Sequence, residues 1–439
     1  MKPFYVDDQT KSDLQIFGSG SDSIVCVFNR TITNGGDLML KEIIGNPLRD
    51  EDNISERINT IRYLMVNVEH LTFDKTSVDF MDHYLSRPDK PRKFTRVNAM
   101  KNVVKRYWMP SADYYIKRRG VAETLENLRF IVLFCNEFCK ETTLPLFTRL
   151  AEGLQEFQQI PLILKGLRAR KPFSRYEVER ADFLLRNKHY KTLKQLLSDL
   201  YLLDAFYSVA SSSRARKYVL PVFRKGSTLE LTGVFHPLLE RPILNDLTLD
   251  NQTNMAFITG ANMSGKSTFM KSVSIAVYLA HLGFPVPAEK MVLSLLDGII
   301  STINLPDNIR LGESHFYAEA NRVKLVAEQI NNHMKLLVVF DEFFRGTNIK
   351  DAYEASLRIS GLFSGIKNCF FLLSTHITEV ATVLNTREDI LFRCFKTDMS
   401  AGTPVFNYEL LDGINDDHIG MWILENKGIF GLLETWQKK

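Results

Sequence analysis

The chain has 439 residues, of which 45% are hydrophobic and 24% charged, and a formal net charge of +4. That length allows two or three domains with a sizeable core and no need of disulfides, and the composition is that of an ordinary soluble globular protein. No stretch of about 18 residues is apolar enough to span a bilayer, Met1 to Asp8 lacks the form of a signal peptide, and the mild positive charge permits nucleic-acid binding without arguing for it. The five cysteines (Cys26, Cys135, Cys139, Cys369 and Cys394) are scattered and odd in number, as expected of free thiols in a reducing cytoplasm. Cys135 and Cys139, four apart on a helix-like apolar run, are expected to be core thiols on one helix face.

Taken in chain order, Ser23 to Phe28 reads as a short strand or buried segment. Thr31 to Gly36 reads as a helix start with Thr33 or Asn34 as cap. Leu38, Leu40, Ile43 and Ile44 then recur at helical spacing until Asn46-Pro47 stops them. A second helix runs through Ile54, Ile58, Ile61 and Leu64. From Lys90 to Arg119 the chain is basic, with Tyr107, Trp108, Tyr114 and Tyr115 interleaved. Such a run can stack on bases and meet phosphates, but it reads first as a solvated helical face with a few buried rings. Long apolar helical patterns follow over 121–163 and from about Tyr176 to Tyr207, and Ser211-Ser212-Ser213-Arg214-Ala215-Arg216 marks a break. The division is expected there, with a mainly α half over 1–215 and an α/β layered half over 216–439.

The second half carries the chemistry. Met255 to Ile258 is an apolar strand that runs into Gly260-Ala261-Asn262-Met263-Ser264-Gly265-Lys266-Ser267-Thr268, and a helix-compatible stretch continues to about His281. This is the G-x-x-x-x-G-K-[ST] pattern of a phosphate-binding loop. Gly260 and Gly265 allow the tight turn and close backbone approach to phosphate, Lys266 supplies charge to the β- and γ-phosphates, and the Ser267 hydroxyl suits Mg²⁺. A second apolar strand, 335–340, delivers Asp341-Glu342, with Asp341 in the Mg²⁺ shell and Glu342 as the base that orients water. A third, 368–373, ends in Ser374-Thr375-His376, which brings His376 within reach of the γ-phosphate. ATP and Mg²⁺ are the implied ligands, and an ATPase the implied enzyme.

The loop, then Ser314-His315-Phe316-Tyr317-Ala318-Glu319, Asp341 to Asn348, and Ser374-Thr375-His376, in this order and spacing, resemble the MutS branch of the ABC-type ATPases. Asn29 to Thr33, Asn46-Pro47-Leu48, Leu200 to Ala210 and His236-Pro237 are similar to further parts of the same family, so nearly the whole chain is covered. The resemblance implies an ABC-type P-loop domain ending in a helical dimerisation segment. Ser314 would be the signature serine acting in trans on the partner's nucleotide, Arg345 to Thr347 a loop at the dimer interface, and His376 the switch histidine. It implies a homodimer that hydrolyses ATP as it opens and closes around DNA, in mismatch repair or branched-DNA and recombination handling. The chain resembles a short member without the mismatch-recognition and clamp domains, which leaves a second reading: a regulatory ATPase acting on a protein or RNA. Departures from the family pattern are Ala261 for Pro, Ser264 for Gly or Ala, His315 for Thr, Phe343-Phe344 for a small apolar residue and Gly, and Ile243 for an adenine-stacking aromatic.

Overall fold

The computed structural model describes residues 3–18, 22–88, 112–140, 142–169, 172–303, 315–344, 348–375, 377–399, 403–415, 419–430 and 432–433. The chain divides into two compact units. One comprises residues 28–45 and 55–216, the other residues 1–27, 46–54 and 217–439. A single cut near residue 215 therefore does not describe the division, because the first 27 residues and a short segment after Gly45 pack with the C-terminal unit.

The helical unit is built from α3 (Asn34–Gly45), most of α4 (Glu51–Asn67), α5 (Lys75–Leu85), α6 (Ala112–Phe138), α7 (Pro145–Gln158), α8 (Pro161–Arg168), α9 (Arg175–Phe183) and α10 (Tyr190–Arg216). Local chemistry sets the helix starts. Pro145 and Pro161 occupy first-turn positions, and Ser174 with Glu177 forms a capping box, each supplying or dispensing with N–H groups that have no partner in the first turn. The Thr33 hydroxyl accepts from the Gly36 N–H at 2.9 Å, as its place before α3 predicts. α10 is buried along most of its length, with Leu193, Leu196, Leu197, Leu200 and Leu203 at helical spacing, and packs against α3 and α7. The break expected over Ser211 to Arg216 comes only at the end of that stretch, because the helix runs through Arg216. Ser212 and Ser213 are buried, small enough to pack inside the helix, and α10 ends at Arg216, followed by Lys217 with a φ of +58°.

Most of the basic stretch, 89–111, lies outside the described residues. Its described end favours the plainer reading. Lys117 pairs with Asp113, Glu179 and Asp182, and the Arg119 guanidinium pairs with Glu123 and lies 4.3 Å from the Phe80 ring centre. Cys135 and Cys139 are half-buried free thiols rather than core ones.

The C-terminal unit holds two sheets. The larger has the order β1 (Tyr5–Val6), β7 (Gly298–Thr302), β8 (Leu336–Phe340), β9 (Phe370–Ser374), β5 (Met255–Gly260), β10 (Ile390–Asp398), β11 (Val405–Asp412). All neighbours are parallel except the last pair. β8 and β9 are buried at every position, as continuous apolar runs in a covered parallel sheet must be. The smaller sheet joins β2 (Val222–Phe223), β6 (Lys290–Leu293), β3 (Thr228–Val234) and β4 (Asn245–Asp250) in that order. Connecting helices include α11 (Lys266–His281), α12 (His315–Asn331), α13 (Ile349–Ser364) and α14 (Thr378–Leu384), with α15 (Ile419–Asn426) near the end.

The N-terminal segment is stitched into this unit. After β1 comes α1 (Asp8–Asp13), whose Thr10 hydroxyl accepts from the Ser301 N–H at 2.9 Å, while the Asp13 carboxylate accepts from the Ser301 hydroxyl at 2.8 Å and the Ile303 N–H at 2.9 Å. The segment at 23–28, read as a short strand or buried segment, is largely buried, but as the short helix α2 (Ile24–Phe28) rather than a strand. A brief apolar run fits either form, and here the Ser23 hydroxyl accepts from the Cys26 N–H at 3.4 Å and starts a turn.

Candidate functional site

β5 ends at Gly260 and α11 begins at Lys266, so the Gly-rich loop lies at the carboxyl edge of the parallel sheet. Three residues of the loop take positive φ: Gly260 at 138°, Met263 at 68° and Gly265 at 110°. At Gly260 a glycine is required, since a Cβ there would stand 2.7 Å from the Phe395 carbonyl oxygen. Gly265 caps α11 without a side-chain hydrogen bond, so the first N–H groups of the helix are left for another acceptor.

The neighbours of β5 decide what faces that loop. β9 lies beside it and β8 beside β9, so three adjacent strand ends share one edge. The Ser374 hydroxyl, at the end of β9, donates to Asp341 Oδ1 at 2.5 Å and accepts from the Glu342 N–H at 2.9 Å. Its carbonyl accepts from the Phe343 N–H at 2.9 Å. One serine thus sets the orientation of both carboxylate residues, a role that its place in the Ser374-Thr375-His376 motif did not reveal. Glu342 takes φ +56° and Phe344 +59°. The second is the position where the family pattern has Gly. The left-handed backbone is kept with a side chain that costs roughly 1 kcal/mol there, offset by burial of the Phe344 ring 4.2 Å from Phe343 and 5.5 Å from Phe316.

Lys266 is 5% exposed, and its Nζ donates to the carbonyls of Gly260 at 2.8 Å and Ala261 at 3.0 Å. Burial lowers its pKa, while the negative charges of Asp341 and Glu342 pull in the opposite direction. A buried ammonium satisfied only by neutral carbonyls and facing two carboxylates is a site prepared for an anion accompanied by a cation.

A cavity of about 500 Å³ opens at this edge. Asn262, Met263, Ser264, Gly265, Lys266, Ser267, Thr268 and Glu342 line it. Gly260 and Ala261 hold the Lys266 ammonium through their carbonyls, and Asp341 accepts from Ser374. Ser314, Arg345 to Thr347 and His376 lie outside the described residues. Among the described residues no cluster of three or more His, Cys, Asp or Glu side chains is placed to hold a metal. Ser267 and Asp341 suit a Mg²⁺ whose remaining ligands are phosphate oxygens and water. Loop, ammonium and uncapped helix start fit the triphosphate itself.

Sequence reasoning missed three lining residues of the cavity, Arg241, Phe395 and Tyr408, which join His236 and Ile243, both already marked by the family resemblance. Burial, with the nearby Lys271 charge, pushes His236 down to about 4, so it is neutral. Tyr408 is half-exposed, takes φ +57°, and its carbonyl accepts from Asn245 Nδ2 at 3.1 Å. No motif signals a residue brought in on an antiparallel edge strand. A larger cavity, about 800 Å³, lies in the helical unit among Phe73, Arg129, Phe130, Leu133 and Leu164. Size does not select the site. That space has no uncapped helix start or buried ammonium, and the Arg129 guanidinium is already bonded to the Gly166 and Leu167 carbonyls.

Comparison with known proteins agrees with this geometry. The family model for MutS domain III matches residues 9–210 and that for MutS domain V matches residues 256–430. Curated relatives named DNA mismatch repair protein MutS include that of Thermotoga maritima, 31% identical over 246 residues, covering 55% of this chain and 30% of the relative. That of Pseudothermotoga lettingae is 28% identical over 299 residues, covering 67% and 36%. That of Staphylococcus saprophyticus is 32% identical over 232 residues, covering 50% and 25%. The matched stretch therefore spans about a third or less of each relative's length. No helix among the described residues is long and apolar enough to cross a membrane. Through its domain III and domain V segments, the chain belongs to the MutS family.

Proposed function

We propose that this chain is a Mg²⁺-dependent ATPase, that its C-terminal unit is an ABC-type P-loop domain, and that it works as a cytoplasmic homodimer on DNA. The observation that carries the reading is the meeting of three adjacent strand ends, which supports Lys266, Glu342 and Asp341 acting on one ligand. The backbone of Gly260 to Thr268 cradles the phosphates, and Lys266 neutralises the β- and γ-oxygens. Ser267 and Asp341 hold Mg²⁺, which when bound draws charge from the phosphate oxygens. Glu342 orients and polarises the attacking water, with Ser374 holding both carboxylate residues in register. Ile243 and Tyr408 line the same cavity and suit a nucleobase.

The names of the curated relatives are the ground for proposing DNA as the partner, in mismatch repair or in handling branched or recombining DNA. From the family resemblance, Ser314 completes the partner's site and His376 faces the γ-phosphate. Exposed Leu424, Ile429, Phe430, Leu432 and Leu433 support a C-terminal dimerisation segment. The test is steady-state ATP hydrolysis by the purified chain with and without Mg²⁺. Lys266→Ala is expected to reduce turnover at least about a hundredfold, and equal turnover by the two chains would remove the loop from the reaction.

A further inference from the structure

Two thiols at the end of α6 have no part in the site already described. Cys135 lies in the last turn of that helix, and Cys139 follows its final residue, Phe138. A spacing of four puts both on one side of the chain, where the Cys139 thiol donates a hydrogen bond to Cys135. Both are half-buried and so within reach of small solutes, whereas Cys369 and Cys394 are buried and the exposed Cys26 is the single cysteine of α2. The shared hydrogen bond divides their acidity. It holds the Cys135 pKa below the usual thiol value against the effect of burial, while the same bond, with burial and the Cys135 charge, drives that of Cys139 up. One sulfur is thus the readier thiolate and the other the readier donor.

We propose that Cys135 and Cys139 form a peroxide-sensitive dithiol that closes reversibly into an intramolecular disulfide. The Cys135 thiolate attacks one oxygen of hydrogen peroxide, so that an S–O bond forms, the O–O bond breaks and hydroxide leaves. Loss of the thiolate also removes the charge that held the Cys139 proton. Cys139 gives that proton to the hydroxide and attacks the Cys135 sulfenic sulfur, so that the S–S bond forms and the S–O bond breaks. In sum the dithiol loses two electrons and two protons, and one peroxide becomes two waters. A helix interior resists such closure, since residues four apart keep their Cβ atoms about 5–6 Å apart and a disulfide needs about 3.5–4.5 Å. Here Cys139 lies beyond the helix, tied back by its N–H to the Cys135 carbonyl at 3.1 Å. Closure gives up that bond and pulls on Phe138, whose carbonyl accepts from the Tyr63 hydroxyl at 2.8 Å and whose ring packs 5.1 Å from that of Phe134. Oxidation therefore loosens the join between α6 and α4. In a reducing compartment the pair rests as thiols, and the disulfide is transient.

The full-length chain tests this without a variant. Reduced protein is treated with hydrogen peroxide, denatured in iodoacetamide and digested with trypsin, which releases Phe130 to Lys140 with both thiols in one peptide. That peptide is expected to lose two hydrogens, resist alkylation and recover both thiols with dithiothreitol. Its hydrogen exchange in the intact protein is expected to quicken on oxidation, and an unchanged rate would overturn the coupling to the helix end. With dimedone present, Cys139→Ser, which keeps a hydroxyl donor, is expected to trap a sulfenic acid at Cys135 at least about tenfold faster than Cys135→Ser traps one at Cys139. Equal trapping by the two variants would overturn the division of roles. A peptide that keeps both thiols at peroxide levels that oxidise Cys26, or that goes instead to separate sulfinic acids or to disulfides between chains, overturns the proposal.

Discussion

Lowering the pH should weaken the C-terminal unit through one fully buried histidine, His281. It ends α11 with both ring nitrogens committed. Nδ1 lies 2.9 Å from the Leu48 carbonyl, which can only accept, so Nδ1 carries the proton. Nε2 accepts from the Leu296 N–H at 3.4 Å and so carries none. The ring packs 4.4 Å from Phe4 and 5.7 Å from Phe223. Burial depresses its pKa from 6.5 to about 4, against the smaller pull of the Leu48 carbonyl and of Asp297, itself paired with Arg49. As pH falls below about 6.5 the unfolded chain takes up a proton that the folded chain refuses, so stability declines until about pH 4 and is flat below. The gap limits the loss to about 3 kcal/mol, of which roughly 2 kcal/mol is expressed at pH 5. His281→Gln keeps a donor and an acceptor but cannot titrate. Urea unfolding followed by circular dichroism at pH 7.5 and pH 5.0 should show a pH loss smaller in the variant by about 2 kcal/mol. His236 and the carboxylates contribute equally to both chains and cancel. A variant whose pH loss matches wild type within about 0.5 kcal/mol would refute the argument.

Two further substitutions test the frame around the site and the helical unit. Gly260→Ala puts a Cβ against the Phe395 carbonyl at a φ of 138°. It should destabilise the protein by roughly 1–3 kcal/mol and weaken ATP binding, seen as a lower urea midpoint and a raised Kd. The buried Asp204 carboxylate accepts from the Ile32 N–H at 2.9 Å, the Thr33 N–H at 2.8 Å and the Thr33 hydroxyl at 2.7 Å. Asp204→Ala strands these donors at the start of α3 and should cost roughly 3 kcal/mol in the same unfolding assay. A loss below about 1 kcal/mol would mean that water replaces the carboxylate.

What the sequence made legible follows how tightly each segment was constrained. The loop between β5 and α11 was readable because its glycine, lysine and hydroxyl positions follow one fixed spacing between a strand and a helix. β8 and β9 were readable because a strand covered on both faces must be apolar throughout. The short run from Ile24 to Phe28 fitted two forms, and only the Ser23 cap settled it as helix. Ser211 to Ser213 has the composition of a break, yet serine is small enough to sit inside a crowded helix. The bonds from Thr10 and Asp13 to Ser301 and Ile303 span nearly the whole unit and leave no local pattern. Tyr408 was invisible for the same reason. Its place at the cavity depends on the pairing of β11 with β10 and on the Asn245 contact, neither written in its neighbours.

The central claim is that Glu342 performs the chemistry on a nucleotide held by the Gly260–Thr268 loop. The most direct measurement compares Mg–ATP affinity and steady-state turnover in wild type and Glu342→Gln, a change that keeps the side chain's size and removes its charge. The account predicts affinity within a few-fold of wild type and turnover reduced by at least about a hundredfold. Turnover near that of wild type, in a preparation free of contaminating ATPase, would contradict it.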